Sequence, residues 1–193
     1  MEGIKEVFLG KNKSRSCISA AAILTALVLI SSFLSLGFWT MVIISAGFVG
    51  GFFLWLGFKS KASYDDLKWP FIFTFIAFVI HRVEEKVSGF FERLSEITDV
   101  STPEILSVPV MLMVVTSVGS WLSIPYLLKR DSEFGRYLVW TFFTSMGLTE
   151  LAHIFVFPFI VGEPFSYFPG MASVFVLSPV AWWGLSRLIK AKV

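Results

Sequence analysis

Long apolar stretches alternate along the chain with short charged connections. Six of them, near residues 17–37, 39–58, 68–86, 105–128, 135–160 and 171–189, reach or approach the ~20 residues that an α-helix needs to cross roughly 30 Å of hydrocarbon. The third has the shortest purely apolar part, "WPFIFTFIAFVI", and completes a span only by taking in His81, Arg82, Val83, Glu84 and Glu85. After it, Val87, Phe90, Phe91, Leu94 and Ile97 recur at helical spacing with charges between them. That pattern predicts an amphipathic helix near 87–98 in the membrane interface, ending before Pro103 opens the next span. The predicted fold is all-α: a polytopic membrane helical bundle of about six transmembrane helices plus an interfacial amphipathic helix, in a single integral membrane domain over residues 1–193.

A composition of 55% hydrophobic, 17% aromatic and only 16% charged residues in 193, with a mean hydropathy of +0.77, exceeds what one soluble core of this size buries. The lipid bilayer is the expected surrounding, and nucleic acid is not an expected partner. The formal net charge of +2 matters less than where the charges fall. Lys5, Lys11, Lys13 and Arg15 precede the first stretch, and Lys59, Lys61 and Lys68 follow the second. Lys129, Arg130 and Arg136 lie between the fourth and fifth, and Arg187, Lys190 and Lys192 come last. The first and fifth connections carry no Lys or Arg, while the third sets six acids against Arg82, Lys86 and Arg93. This asymmetry predicts a multi-pass membrane protein with both termini cytoplasmic, and without organelle signals a prokaryotic plasma membrane is the expected location. The first stretch exceeds the roughly 7–15 residues of a cleavable signal core and is expected to remain as a span. The single cysteine, Cys17, excludes an internal disulfide and a cysteine-based metal cluster.

Candidate chemistry gathers at the two histidines. His81 stands one turn before Glu84 and Glu85 on a shared helix face, and in "MGLTELAHIF" Glu150 stands one turn before His153. At about 1.5 Å per residue, His81 lies roughly 20 Å along its helix from Lys68, and Glu150 and His153 lie roughly 21 and 26 Å from Arg136. Both pairs then fall at a similar depth in the outer half of the bilayer, where such groups need each other, a metal or water. A divalent metal such as Zn, Fe or Mn suits this donor set. The candidate ligands are His81, Glu84, Glu85, Glu150 and His153, with Glu84, Glu85 and Glu150 also candidate acid/base groups. The plainer alternatives are a solvated helix end at 82–86 and a structural hydrogen bond between helices at Glu150 and His153. The turn-rich "GEPFSYFPG", residues 162–170, falls on the same side and is a candidate lid or wall.

His81-Arg82-Val83-Glu84-Glu85 has the form HxxEE, His153 follows in a later span, and Tyr167-Phe168-Pro169-Gly170 has the form YxPG. In this order the motifs resemble the HXXEE-motif family of small multi-spanning membrane proteins, a family whose function is not established. The resemblance implies one site built from the three motifs and supplies no reaction. The family pattern places an Asn four residues before the later histidine, where this chain has Thr149. Thr149 and Tyr167 are therefore the candidates for holding a cofactor or ligand at that site through their hydroxyls. The chain is also similar, more weakly, to the emopamil-binding-protein superfamily of sterol isomerases. That likeness implies a site of His81, Glu85 and Glu150 with Trp182-Trp183 stabilising a carbocation. Trp182 and Trp183 fall near the expected cytoplasmic end of the last span, where an interfacial belt is the simpler expectation.

Three functions fit these residues. The first is a membrane-embedded metal-binding enzyme, hydrolytic or oxidative, acting on a lipid or other hydrophobic small molecule. The second is a metal-free isomerase that shuttles protons through His and Glu on a lipid or sterol-type substrate. The third is a proton or metal transporter, which the lack of a second set of charges deeper in the spans disfavours.

Overall fold

The computed structural model describes residues 13–164 and 166–191, and every regular element among them is helical. The helices are α1 (Arg15–Gly57), α2 (Tyr64–Val87), α3 (Phe90–Thr98), α4 (Val108–Lys129), α5 (Glu133–Ile160) and α6 (Met171–Lys190). Lys5, Lys11 and Lys192, used above as orientation signals, lie outside the described residues. The protein is an all-α membrane protein: α1, α4, α5 and α6 are long and apolar enough to cross a bilayer.

Four is fewer than the six spans expected, for two reasons. The segments 17–37 and 39–58 are two helical arms that meet at a kink at Gly37 (φ 78°, ψ −177°), so they count together as one run of 43 residues. There the backbone takes a conformation that glycine alone adopts readily, and a Cβ would lie 2.6 Å from Val100 Cγ2. The two arms of α1 fold back on each other. Lys13 Nζ lies 5.3 Å from the ring centroid of Trp55, and both arms meet Tyr137, through the Thr25 hydroxyl at 2.8 Å and the Trp55 ring at 5.5 Å. The second reason is α2, whose apolar middle is crowded by Asp65, Asp66 and Lys68 at one end and by Arg82, Glu84, Glu85 and Lys86 at the other. Its start is fixed by a capping box. The Ser63 hydroxyl accepts from Asp66 N at 3.3 Å and the Asp66 carboxylate accepts from Ser63 N at 2.9 Å. Donation from the Ser63 hydroxyl, then from its backbone N–H, holds the Asp66 carboxyl below its ordinary value.

The amphipathic segment begins at Phe90 rather than at 87. Gly89 (φ 73°) separates it from α2, and Val87, expected on its apolar face, ends α2 and is exposed. Phe90 and Leu94 pack with Leu36, Ala152, Phe157 and Phe168, so the apolar face of α3 is turned toward protein. α4 begins at Val108 with Pro109 in its first turn, not at Pro103.

α5 is the central helix, its side chains buried from Tyr137 to Gly147. In lipid, helices associate through close packing rather than the hydrophobic effect, and small residues permit it. A Cβ on Gly51 of α1 would fall 2.6 Å from Thr141 Cα of α5. Trp121 of α4 stacks on Phe48 at 5.3 Å and donates its Nε1–H to Thr141 Oγ1 at 3.2 Å, which satisfies its polar end within the core. α5 then widens into a π-helical turn at Ser145–Thr149. α6 holds that turn: Ser178 Oγ donates to the Met146 carbonyl at 3.2 Å and Trp182 Nε1 to the Gly147 carbonyl at 2.8 Å. Trp182, expected as a belt residue, thus also supports the turn that delivers Glu150 to the interior.

Candidate metal centre

α2 contributes His81 and Glu85, one turn apart, and α5 contributes Glu150 and His153 just beyond the π-helical turn; all four side chains are buried. His81 Nε2 lies 3.5 Å from Glu85 Oε1 and 3.2 Å from Glu150 Oε2. His153 Nε2 lies 3.3 Å from Glu85 Oε1 and 3.5 Å from Glu150 Oε2. The imidazole rings are 4.9 Å apart and nearly perpendicular. One ligand atom from each residue falls within 4.8 Å of the other three, so the group can hold a metal ion. A tetrahedral site with bonds of ~2.1 Å has ligand–ligand edges of roughly 3.4 Å. The four crossed separations match that edge.

The far sides of the imidazoles set what their Nε2 atoms present. His153 Nδ1 donates to the Pro169 carbonyl at 2.6 Å. Ser173 Oγ donates to the Gly170 carbonyl at 3.2 Å, leaving its oxygen to accept from His81 Nδ1 at 2.8 Å. With the proton assigned to Nδ1 by these partners, each neutral imidazole turns its Nε2 lone pair inward. Two nitrogens and two carboxylate oxygens then face one point, and Glu85 Oε1 makes no hydrogen bond. Four converging acceptors are stable only around positive charge, either a metal ion or second protons on the imidazoles.

Arg82 governs the outer oxygens. Its two terminal nitrogens reach Glu85 Oε2 and Glu150 Oε1, each at 2.8 Å, bridging the carboxylate of its own helix to that of α5. Sequence reasoning assigns Arg82 no role at the site and names it only within the alternative of a solvated helix end at 82–86. Its place one residue after a buried histidine was the available signal. Ser173 and the Pro169 carbonyl were also missed, and no residue type advertises either role.

Glu84 does not join the four. Its carboxylate accepts from Tyr167 OH at 2.8 Å and from the backbone N–H groups of Ala172 at 3.1 Å and Ser173 at 2.7 Å, so it caps the start of α6. Tyr167 is exposed and donates its hydroxyl to Glu84 rather than to the four buried residues. The YxPG turn forms a wall behind the imidazoles. Gly170 has φ 90°, and a Cβ there would lie 2.7 Å from His153 Nδ1 and 2.9 Å from His81 Cε1. Thr149 Oγ1 is buried without a hydrogen bond beside Gly47.

A cavity of about 550 Å³ opens from this group. Arg82, Glu85, Glu150 and His153 line one part of it, and His81 is not in its lining. Most of the remaining wall is apolar, from both arms of α1 and the first half of α4, with hydroxyls that include Thr40, Ser145 and Thr149, and with Lys86 and Glu92 also in the lining. The described residues of 162–170 do not line it, so that turn backs the site and is not a lid. Compared with protein-family models, with curated proteins and with solved structures, the chain matches none.

Proposed function

We propose that this protein is a membrane-embedded metal enzyme acting on a lipid or other hydrophobic molecule, with the metal held by His81, Glu85, Glu150 and His153. The observation that carries this reading is the convergence of four acceptor atoms at separations of 3.2 to 3.5 Å while both Nδ1 atoms are engaged elsewhere. Zinc suits four nitrogen and oxygen donors in this arrangement, and iron(II) or manganese shares the donor preference. Such an ion supplies Lewis acidity and lowers the pKa of bound water. Hydrolytic and oxidative chemistry both follow from the same donor set, and the identity of the metal chooses between them. The chain's own groups have separate tasks: Arg82 balances and orients the two ligating carboxylates, and Ser173 and the Pro169 carbonyl orient the imidazoles. The resemblance to the HXXEE-motif family supports treating HxxEE, the later histidine and YxPG as one unit.

The cavity supports the hydrophobic substrate. Its volume falls in the roughly 300–1,000 Å³ range of small-molecule pockets. An apolar molecule along α1 and α4 would set its polar end against Glu150 and His153. The Thr40, Ser145 and Thr149 hydroxyls, buried and without hydrogen bonds, suit an oxygen function such as an alcohol or carbonyl.

One observation favours a second reading, the metal-free isomerase. Because Arg82 already pairs with both carboxylates, a single further proton on the imidazoles neutralises the group. Elemental analysis of purified protein separates the two. The metal reading expects near-stoichiometric zinc, iron or manganese, lost in His81→Ala and His153→Ala and retained in Glu84→Gln. Wild-type protein that takes up no metal after reconstitution overturns it in favour of proton shuttling.

A further inference from the structure

The other end of the bundle holds a second pocket, of about 400 Å³. Three stretches distant in sequence build it: Lys13 just before α1, residues 55–61 at the end of α1 and beyond, and residues 131–140 around the start of α5. Buried Trp55 and Trp140 form aromatic walls, and Phe58 packs against Trp140 with ring centroids 5.6 Å apart.

Charge at this pocket is unbalanced. Lys13, Lys59, Lys61 and Arg136 face two acids, Asp131 and Glu133. Arg136 engages both acids, donating to Glu133 Oε1 at 2.8 Å and to Asp131. No carboxylate lies within ion-pair distance of Lys13, Lys59 or Lys61 among the described residues. Lys13 instead sits over the Trp55 ring. Burial, together with the neighbouring Lys59 and Arg136, holds the Lys13 ammonium below its ordinary value against the opposite pull of Glu133. The Trp55 Nε1–H and the Arg136 Nε–H also make no hydrogen bond. Among the described residues of the pocket, the charges without an ion-pair partner are thus all positive, and they stand beside further unpaired donors and rigid aromatic walls.

We propose that this pocket binds a phosphate oxyanion, carried by the headgroup of an anionic lipid or supplied as free phosphate. The lysines come from segments expected on the cytoplasmic side, where anionic lipids draw basic residues and aromatic side chains anchor at the headgroup level. The site stands apart from the metal group, at the Asp65 end of α2 rather than the His81 end, and does not depend on the metal reading.

The test uses the whole protein. Native mass spectrometry compares retention of phosphatidic acid with that of phosphatidylcholine, with inorganic phosphate added as a competitor. Phosphatidic acid is expected to be retained at least ~10-fold more, and the Lys13→Gln/Lys59→Gln/Lys61→Gln variant is expected to lose the preference while keeping its helix content and melting temperature. Displacement by inorganic phosphate identifies free phosphate as the ligand; resistance to it identifies the lipid headgroup. Equal retention of the two lipids by wild type, or an undiminished preference in the triple variant, overturns the proposal. Should the triple variant not fold, Lys59→Glu at its exposed position is expected to reduce the preference, and no reduction counts against the site equally.

Discussion

Arg82 is the residue on which the charge balance of the buried group turns. Its side chain is 41% exposed, yet both its terminal nitrogens are held at 2.8 Å by carboxylates that are almost fully buried. Removing it leaves two carboxylates in low dielectric with no opposite charge, a change that costs about 3 kcal/mol or more. A divalent ion at the four ligand atoms offsets much of that cost. Arg82→Gln is therefore expected to lower the melting temperature markedly in chelator and much less with saturating metal. Arg82→Lys, which cannot bridge both carboxylates in the same way, should fall between. Equal melting temperatures for wild type and Arg82→Gln in chelator would remove Arg82 from this role. The sequence made His81, Glu85, Glu150 and His153 legible, because histidine and glutamate one turn apart in apolar surroundings are costly unless they serve something. It did not separate Glu84 from Glu85, since positions three and four residues on share a helix face with His81. What separates them is α6, whose first backbone N–H groups claim Glu84, a contact from nearly ninety residues away that no local pattern carries.

At the scale of elements, the centre depends on two irregularities: the π-helical turn that places Glu150 and the YxPG turn that starts α6. Gly170 is the tightest point of the second. Alanine there needs a strained positive φ and brings a Cβ to within 2.7 Å of His153 Nδ1, so the turn must shift and take the Pro169 carbonyl and Ser173 with it. Because these partners orient both imidazoles, Gly170→Ala is expected to weaken metal binding roughly 10- to 100-fold while helix content stays unchanged. Competition against a chelator, with far-ultraviolet circular dichroism alongside, measures both; undiminished affinity would show that the turn does not position the histidines. The helical elements themselves were largely legible, because hydrophobic length and period speak directly to helices in a bilayer. The fold-back at Gly37 was visible only as a break between two apolar stretches, since neither charge nor proline marks it. The π-helical turn was not visible at all: Ser145 to Thr149 could continue an ordinary helix, and it is the donors Ser178 and Trp182 on α6 that meet its displaced carbonyls.

Across the whole molecule, the arrangement of α4 is what leaves space beside the buried His/Glu group. Its second half packs on α5 and α2, whereas its first half leans on α1, and the cavity lies along that first half with Glu150 and His153 within its lining. Sequence reasoning could not find it, because a wall that faces a hydrophobic ligand and a surface that faces lipid are written in the same residues. If a hydrophobic substrate uses this space, filling it should separate substrate binding from metal binding. Met113 and Ser117 line the cavity and belong to neither the ligand set nor its partners. Met113→Trp and Ser117→Trp are expected to keep full metal content and to reduce labelling by a diazirine-bearing long-chain alcohol at least ~10-fold in the peptides around residues 40–48 and 110–118. Val176→Trp, on the exposed face of α6, serves as the control and should leave labelling unchanged. Labelling spread evenly over all exposed apolar faces, or persisting in the filled variants, would mean that the alcohol reports lipid contact alone, leaving a metal centre without a hydrophobic substrate beside it.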